Sequence, residues 1–227
     1  MLDELNLSAN QPVHGLADNL DAESGLLAED GEDVVARPDG CYLGRRDREI
    51  EAKSTGTLVT VGLTSRCPYG RAACWGGTLQ TLKSLDGVEE VKEIANASDS
   101  TAELFLQTSG LPNLDVWIRQ ISRMAGGGYD FRGVEVTLTG TVRPQGDYLI
   151  LSGPSSTWTV KLDPLSKAAK VQWDWATQAP AAPTAEETVA YQHLADQVKA
   201  GGERKAQVTG PLNNDGGECQ LAVRQIA

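Results

Sequence analysis

The sequence predicts an α+β protein in two folded parts behind an acidic tail. Three observations predict it. Residues 1–40 hold ten of the chain's 31 acids and one of its 20 bases, with no aromatic residue. Residues 56–140 alternate short β-branched runs with two stretches of helical periodicity. Residues 133–227 carry five strand-like runs and one further helix. The chain's 227 residues, at roughly 100–200 per domain, suit one large domain or two small ones.

The tail, 1–40, buries too little apolar surface to offset its ordering entropy and is expected to be disordered. Its net charge is a solubility device; Leu5, Leu7, Leu16, Leu20, Leu26 and Leu27 are its candidate docking residues. A connector, 41–55, follows, and order is expected from Gly56. Thr57–Val61 is a β-branched run and reads as a strand. Leu79, Leu82 and Leu85 recur at helical spacing and stop at Asp86-Gly87. Val88–Ile94 reads as a strand, and 96–100 as a turn. Ala102, Leu104 and Leu106 alternate with Glu103, Phe105 and Gln107, the period of a half-buried strand. Asn113 is the N-cap of a second helix, whose Leu114, Trp117, Ile118, Ile121, Met124 and Ala125 share one face. Gly126–Gly128 ends it, and Val134, Val136 and Leu138 alternate in the next strand. Strand, helix, strand, strand, helix, strand is the split βαβ order of a ferredoxin-like domain.

In the second half, 134–142, 147–151 and 158–162 read as three strands. An Ala- and Pro-rich linker, 176–184, leads to a helix with Glu186 and Glu187 in its first turn, where the dipole favours acids. Val189, His193, Leu194 and Val198 are its expected apolar face. Strands at 205–210 and 220–226 complete the chain. Three strands, a helix and two strands is the order of an OB-fold, a five-stranded barrel. The strand at 132–142 ends the first part (56–140) and begins the second (133–227), so the two parts are expected to share it.

The residues of the first part resemble the heavy-metal-associated domain of copper chaperones and metal-transporting ATPases. Gly62-Leu63-Thr64 stands at the family's Gly-Met-x. Cys74 stands at its second cysteine. Leu85, Gly87 and Val88 stand at its helix leucine and Gly-Val pair, and Gly128-Tyr129 at the Gly-Tyr before its last strand. The resemblance implies a soft-metal loop with Cys67 and Cys74 as ligands for Cu(I). It departs from the family in two places. Leu63 replaces the Met, and Arg71 falls where the first cysteine belongs, so that six residues separate Cys67 from Cys74. Two thiolates suffice for Cu(I). Zinc wants more ligands than this loop offers, because His14 lies in the tail and His193 on a distant helix. The same pair admits a disulfide or two unpaired thiols. Cys41 and Cys219 either bridge the two ends or stay unpaired.

Three functions remain open. The first is a non-catalytic binding or adaptor protein that carries Cu(I) and meets a protein partner. The second is an interaction protein with a decayed metal site, and the third a thiol–disulfide redox protein. No nucleophile elbow, phosphate loop, His-Glu-x-x-His or Cys-x-x-Cys is present. Gly126–Gly128 follows a helix, the wrong context for a nucleotide loop. The net charge of −11 makes nucleic acid a poor partner. Trp158, Trp173 and Trp175 are candidate stacking residues on a barrel face. An acid between the last two and the scarcity of bases favour packing instead. No apolar run approaches the roughly 20 residues of a membrane span. The N-terminus lacks a leader's basic and apolar stretches, which favours a cytoplasmic setting; a periplasmic or secreted one requires a leader already removed.

Overall fold

The computed structural model describes residues 56–66, 71–92, 96, 98–124, 128–215 and 217–227. The acidic segment 1–40 and the connector 41–55 lie outside them. The fold is α+β and contains a closed five-stranded barrel. In chain order its elements are β1 (Leu58–Ser65), α1 (Arg71–Lys83), β2 (Val88–Val91), β3 (Thr101–Leu106), α2 (Leu114–Met124), β4 (Tyr129–Gln145), β5 (Tyr148–Ser152), β6 (Thr159–Pro164), β7 (Trp173–Asp174), β8 (Ala179–Pro180), α3 (Ala185–Gly201), β9 (Arg204–Asp215), β10 (Glu218–Val223) and β11 (Gln225–Ile226).

The first six elements build one end of the main sheet in the order β4-β1-β3-β2, all pairs antiparallel. Asn113 caps α2 as its sequence predicts, its side-chain oxygen accepting from the Val116 N–H at 3.2 Å. Trp117 of α2 is fully buried, and its indole N–H donates to the Asp86 carbonyl at 2.9 Å, tying α2 to the turn after α1. Leu63, Leu82, Ile121 and Tyr129 meet around one small gap, so both helices lie on the same side of the sheet.

β4 is one continuous strand of 17 residues. Its first part pairs with β1 through Leu58↔Thr137 to Ser65↔Tyr129, and its later part pairs with β5. From Val134 to Val142 its other edge carries β9. The ring β4-β5-β6-β10-β9 then closes on β4, with β6 and β10 parallel and every other pair antiparallel. Val134, Val136 and Leu138 all face inward, and one apolar core runs from Val59 and Trp117 to Leu162 and Leu194. A Cβ at Gly210 would stand 1.7 Å from the Ala222 carbonyl oxygen, so glycine is required where β9 meets the end of β10.

Several boundaries differ from expectation. α1 begins at Arg71, a full two turns before its leucines. Phe105, predicted to face water by alternation, is 9% exposed, with Lys92 5.7 Å over its ring. The buried stripe of α3 is Glu187, Ala190, Leu194 and Val198, while Val189 and His193 are exposed. Leu194 and Val198 lie on the buried face as the spacing predicts; Glu187 and Ala190 complete it in place of Val189 and His193. The last strand breaks at Arg224 into β10 and β11.

The linker between β6 and α3 crosses back over the first half. A β-bulge carries the register from Gly62↔Gly133 to Leu63↔Phe131, leaving Arg132 without a partner on β1. Val171 rests on the two paired glycines; a Cβ at Gly62 would stand 2.8 Å from the Val171 oxygen. Arg132 donates to the carbonyls of Val171 (2.7 Å) and Ser100 (2.8 Å) and to the Thr64 hydroxyl (2.5 Å). Its guanidinium stacks 5.1 Å from the Trp173 ring. Burial draws its pKa down to about 10, against the pull of Asp99 and Asp130. The guanidinium therefore stays charged at neutral pH and fastens the crossing segment to the sheet.

Candidate functional site

Cys67 lies outside the described residues. The backbone of Cys74 occupies the first turn of α1. Just after β1, Arg66 grips the Asp130 carboxylate through two nitrogens, and its amide donates to the Gly128 carbonyl at 2.9 Å. Among the described residues no cluster of three His, Cys, Asp or Glu is placed to hold a metal. Cys219 is half-buried on β10; burial, and then the Asp115 carboxylate, push its thiol pKa up. Cys41 lies outside the described residues.

Trp158 is packed, its indole N–H donating 2.8 Å to the Ser109 carbonyl of the first half. Trp173 stacks on Arg132 and Trp175 is half-buried. Packing, not display on a barrel face, is the role the structure gives Trp158 and Trp173.

A cleft of about 580 Å³ opens between α3 and the strands β9 and β11. Glu186, Val189 and His193 line it from the helix, Thr209 and Ile226 from the strands, and Arg224 at the break between β10 and β11. This volume falls within the 300–1,000 Å³ typical of ligand sites. His193 is exposed, with its Nε2 3.0 Å from the Gln197 amide nitrogen.

Behind the cleft lies a buried charge network drawn from four separate segments. Arg224 clasps Glu135 of β4 through Nε and Nη2, both at 2.6 Å, and reaches Glu187 of α3 through Nη1 at 3.0 Å. Lys170, on the crossing segment, donates to Glu187 at 2.8 Å. Glu187 also accepts the Thr184 N–H at 2.8 Å, while the Thr184 hydroxyl accepts the Glu187 N–H at 3.2 Å, a full capping box. Glu135 is 2% exposed and Glu187 6%. Two carboxylates and two cations make the group neutral, the condition under which burial is tolerable. Burial alone would raise the Glu187 pKa. Bonds from Lys170, the Thr184 amide and Arg224 outweigh it and hold the carboxyl below its usual range. Burial likewise opposes charge on Arg224, and Glu135 and Glu187 together push its pKa up. Both groups are therefore locked in their charged forms at neutral pH. They exchange no proton there and act as an anchor rather than as acid and base.

The sequence signal for this network was partial. Thr184-x-x-Glu187 is a legible capping box. Nothing in the spacing of Glu135, Lys170 and Arg224 marks them as neighbours. Comparison with protein-family models, with curated proteins and with solved structures finds no match to this chain.

Proposed function

We propose that the chain is a non-catalytic binding or adaptor protein that holds one Cu(I) ion on the Cys67–Cys74 loop and meets a protein partner. In this reading the first half is a ferredoxin-like domain of the heavy-metal-associated kind, and the second an OB-like barrel. The antiparallel order β4-β1-β3-β2, with α1 and α2 on one side, supports the first assignment. The parallel β6–β10 pair and the position of α3 between β6 and β9 support the second.

One observation carries the metal reading. Residue 74 lies in the first turn of α1, immediately after β1 and its loop. Backbone N–H groups and the helix dipole favour a thiolate there, and a second thiol on the same loop completes the minimum for a soft ion. The test is competition against a Cu(I) chelator under anaerobic, reducing conditions. Cys67→Ser and Cys74→Ser should each abolish copper retention, and Cys41→Ser and Cys219→Ser should leave it intact. Equal retention by the wild type and the Cys67→Ser, Cys74→Ser double variant would overturn the proposal. A second reading, an interaction protein that keeps the scaffold without the metal, is favoured by Arg71 at the family's first cysteine position.

A further inference from the structure

Arg66 is the last described residue before Cys67, and its side chain is fixed to the Asp130 carboxylate. We infer that this clasp positions Cys67: it aims the thiol toward α1 and so sets how readily Cys67 and Cys74 close as one pair, a role that rests on reading those two cysteines as the working loop.

The register supplies the direction. At the end of β1, Thr64 stands opposite Asp130 and Ser65 opposite Tyr129. Leu63 and Tyr129 meet Leu82 of α1 and Ile121 of α2, so they mark the helix face of the sheet. Side chains alternate along an extended chain, which puts Thr64, Arg66 and Asp130 on the opposite face. Both Thr64 and Arg66 are held there. The Thr64 hydroxyl accepts from Arg132 Nη1 at 2.5 Å. Arg66 donates to Asp130 through Nε at 2.7 Å and through Nη2. The Arg66 amide donates to the Gly128 carbonyl at 2.9 Å, which carries the pairing one residue past Ser65. With position 66 fixed on one face, the same alternation directs the next position to the other. That is the face of α1, which begins at Arg71 and holds Cys74 in its first turn.

Folding stability alone does not account for the clasp. Its two side chains are 64% and 45% exposed, and ion pairs in water contribute little to a fold. What a two-pronged contact between arginine and carboxylate supplies is geometry. A thiol pair gains from geometry, because a sulfur already aimed at its partner loses less freedom when the pair closes. The gain applies to closure by a soft ion and to closure by a disulfide alike.

The experiment uses the full chain with Cys41→Ser and Cys219→Ser, so that one thiol pair remains. Its effective concentration is read from the equilibrium with glutathione: the pair is oxidised to a disulfide, and one oxidised glutathione takes up both electrons and both protons to become two reduced ones. Copper retention against a Cu(I) chelator is measured in parallel. Asp130→Ala keeps the guanidinium next to Cys67 in the chain but removes its anchor. It should lower both quantities about fivefold, the most that an exposed pair supplies, with urea unfolding little changed. The charge swap Arg66→Asp, Asp130→Arg restores the contact and should recover most of the loss. An unchanged glutathione equilibrium in Asp130→Ala overturns the inference, whatever the urea midpoint does. So does a rise in it, which would mean that Arg66 acts by its charge on the thiolate, and so does a folded swap variant no better than Asp130→Ala. If the wild type retains no copper while Asp130→Ala still lowers the glutathione equilibrium, the metal reading fails and the clasp stands.

Discussion

Glu187 shows how much one side chain can be asked to do. It caps its own helix, accepts from Lys170 and Arg224, and is 6% exposed although its place in the first turn alone would leave it in water. Its depressed pKa has a definite consequence for stability. A carboxylate whose folded pKa lies below the unfolded one stabilises the fold above the unfolded value, about 4.3 for Glu. That contribution is lost as pH falls through the folded value. Denaturant titrations of wild type and Glu187→Gln should therefore differ most above the unfolded value and converge as pH falls through the lowered folded one; a constant difference would contradict the ionic account. Arg224→Ala strands Glu135 as a buried, unpaired anion and should cost about 3–5 kcal/mol, by the penalty for breaking one side of a buried pair. Trp117→Ala should cost about 3–5 kcal/mol, as for other buried Trp truncations; urea unfolding measures both. Trp117 was legible in the sequence because it lies on a periodic apolar face. Arg224 was not, because nothing local distinguishes it from a surface arginine in a strand.

The elements that decide the architecture are the crossing segment and α3. The segment stays down because glycine occupies both Gly62 and Gly133 beneath Val171, and because Arg132 bridges the carbonyls around it. Gly62→Val places a side chain where only 2.8 Å separates a Cβ from the Val171 oxygen. The variant should lose about 1–3 kcal/mol, the range for overpacking, and its tryptophan emission should shift as Trp173 leaves Arg132. Unchanged emission would mean that the segment is not held at this point. For α3, Thr184→Ala removes the reciprocal cap and should cost about 1 kcal/mol in thermal or denaturant unfolding. Its cap and length were readable from residues 184–201. Its rotation was only partly readable, because Val189 and His193 extend the Leu194–Val198 stripe on paper as well as Glu187 and Ala190 do.

At the scale of the molecule, β4 is the shared beam. Residues 134–137 pair with β1 on one edge and β9 on the other, and the core passes through them without interruption. Secondary structure followed by circular dichroism and tertiary structure followed by tryptophan emission should therefore lose signal in one coincident transition. Trp117→Ala, made in the first half, should lower the whole of it. Two separable transitions would show that the halves are independent.

By itself the sequence determined the succession of strands and helices, the Asn113 cap, the burial of Trp117 and the double duty of the 132–142 strand. These follow from periodicities of two and 3.6 and from capping chemistry, all written within a dozen neighbouring residues. Only the tertiary structure decided the parallel contact of β6 with β10, the seat of Val171 on paired glycines and the clasp of Arg224 on Glu135. Each joins residues far apart in the chain. Their selection is a matter of shape and charge in three dimensions, for which a single sequence carries no local mark.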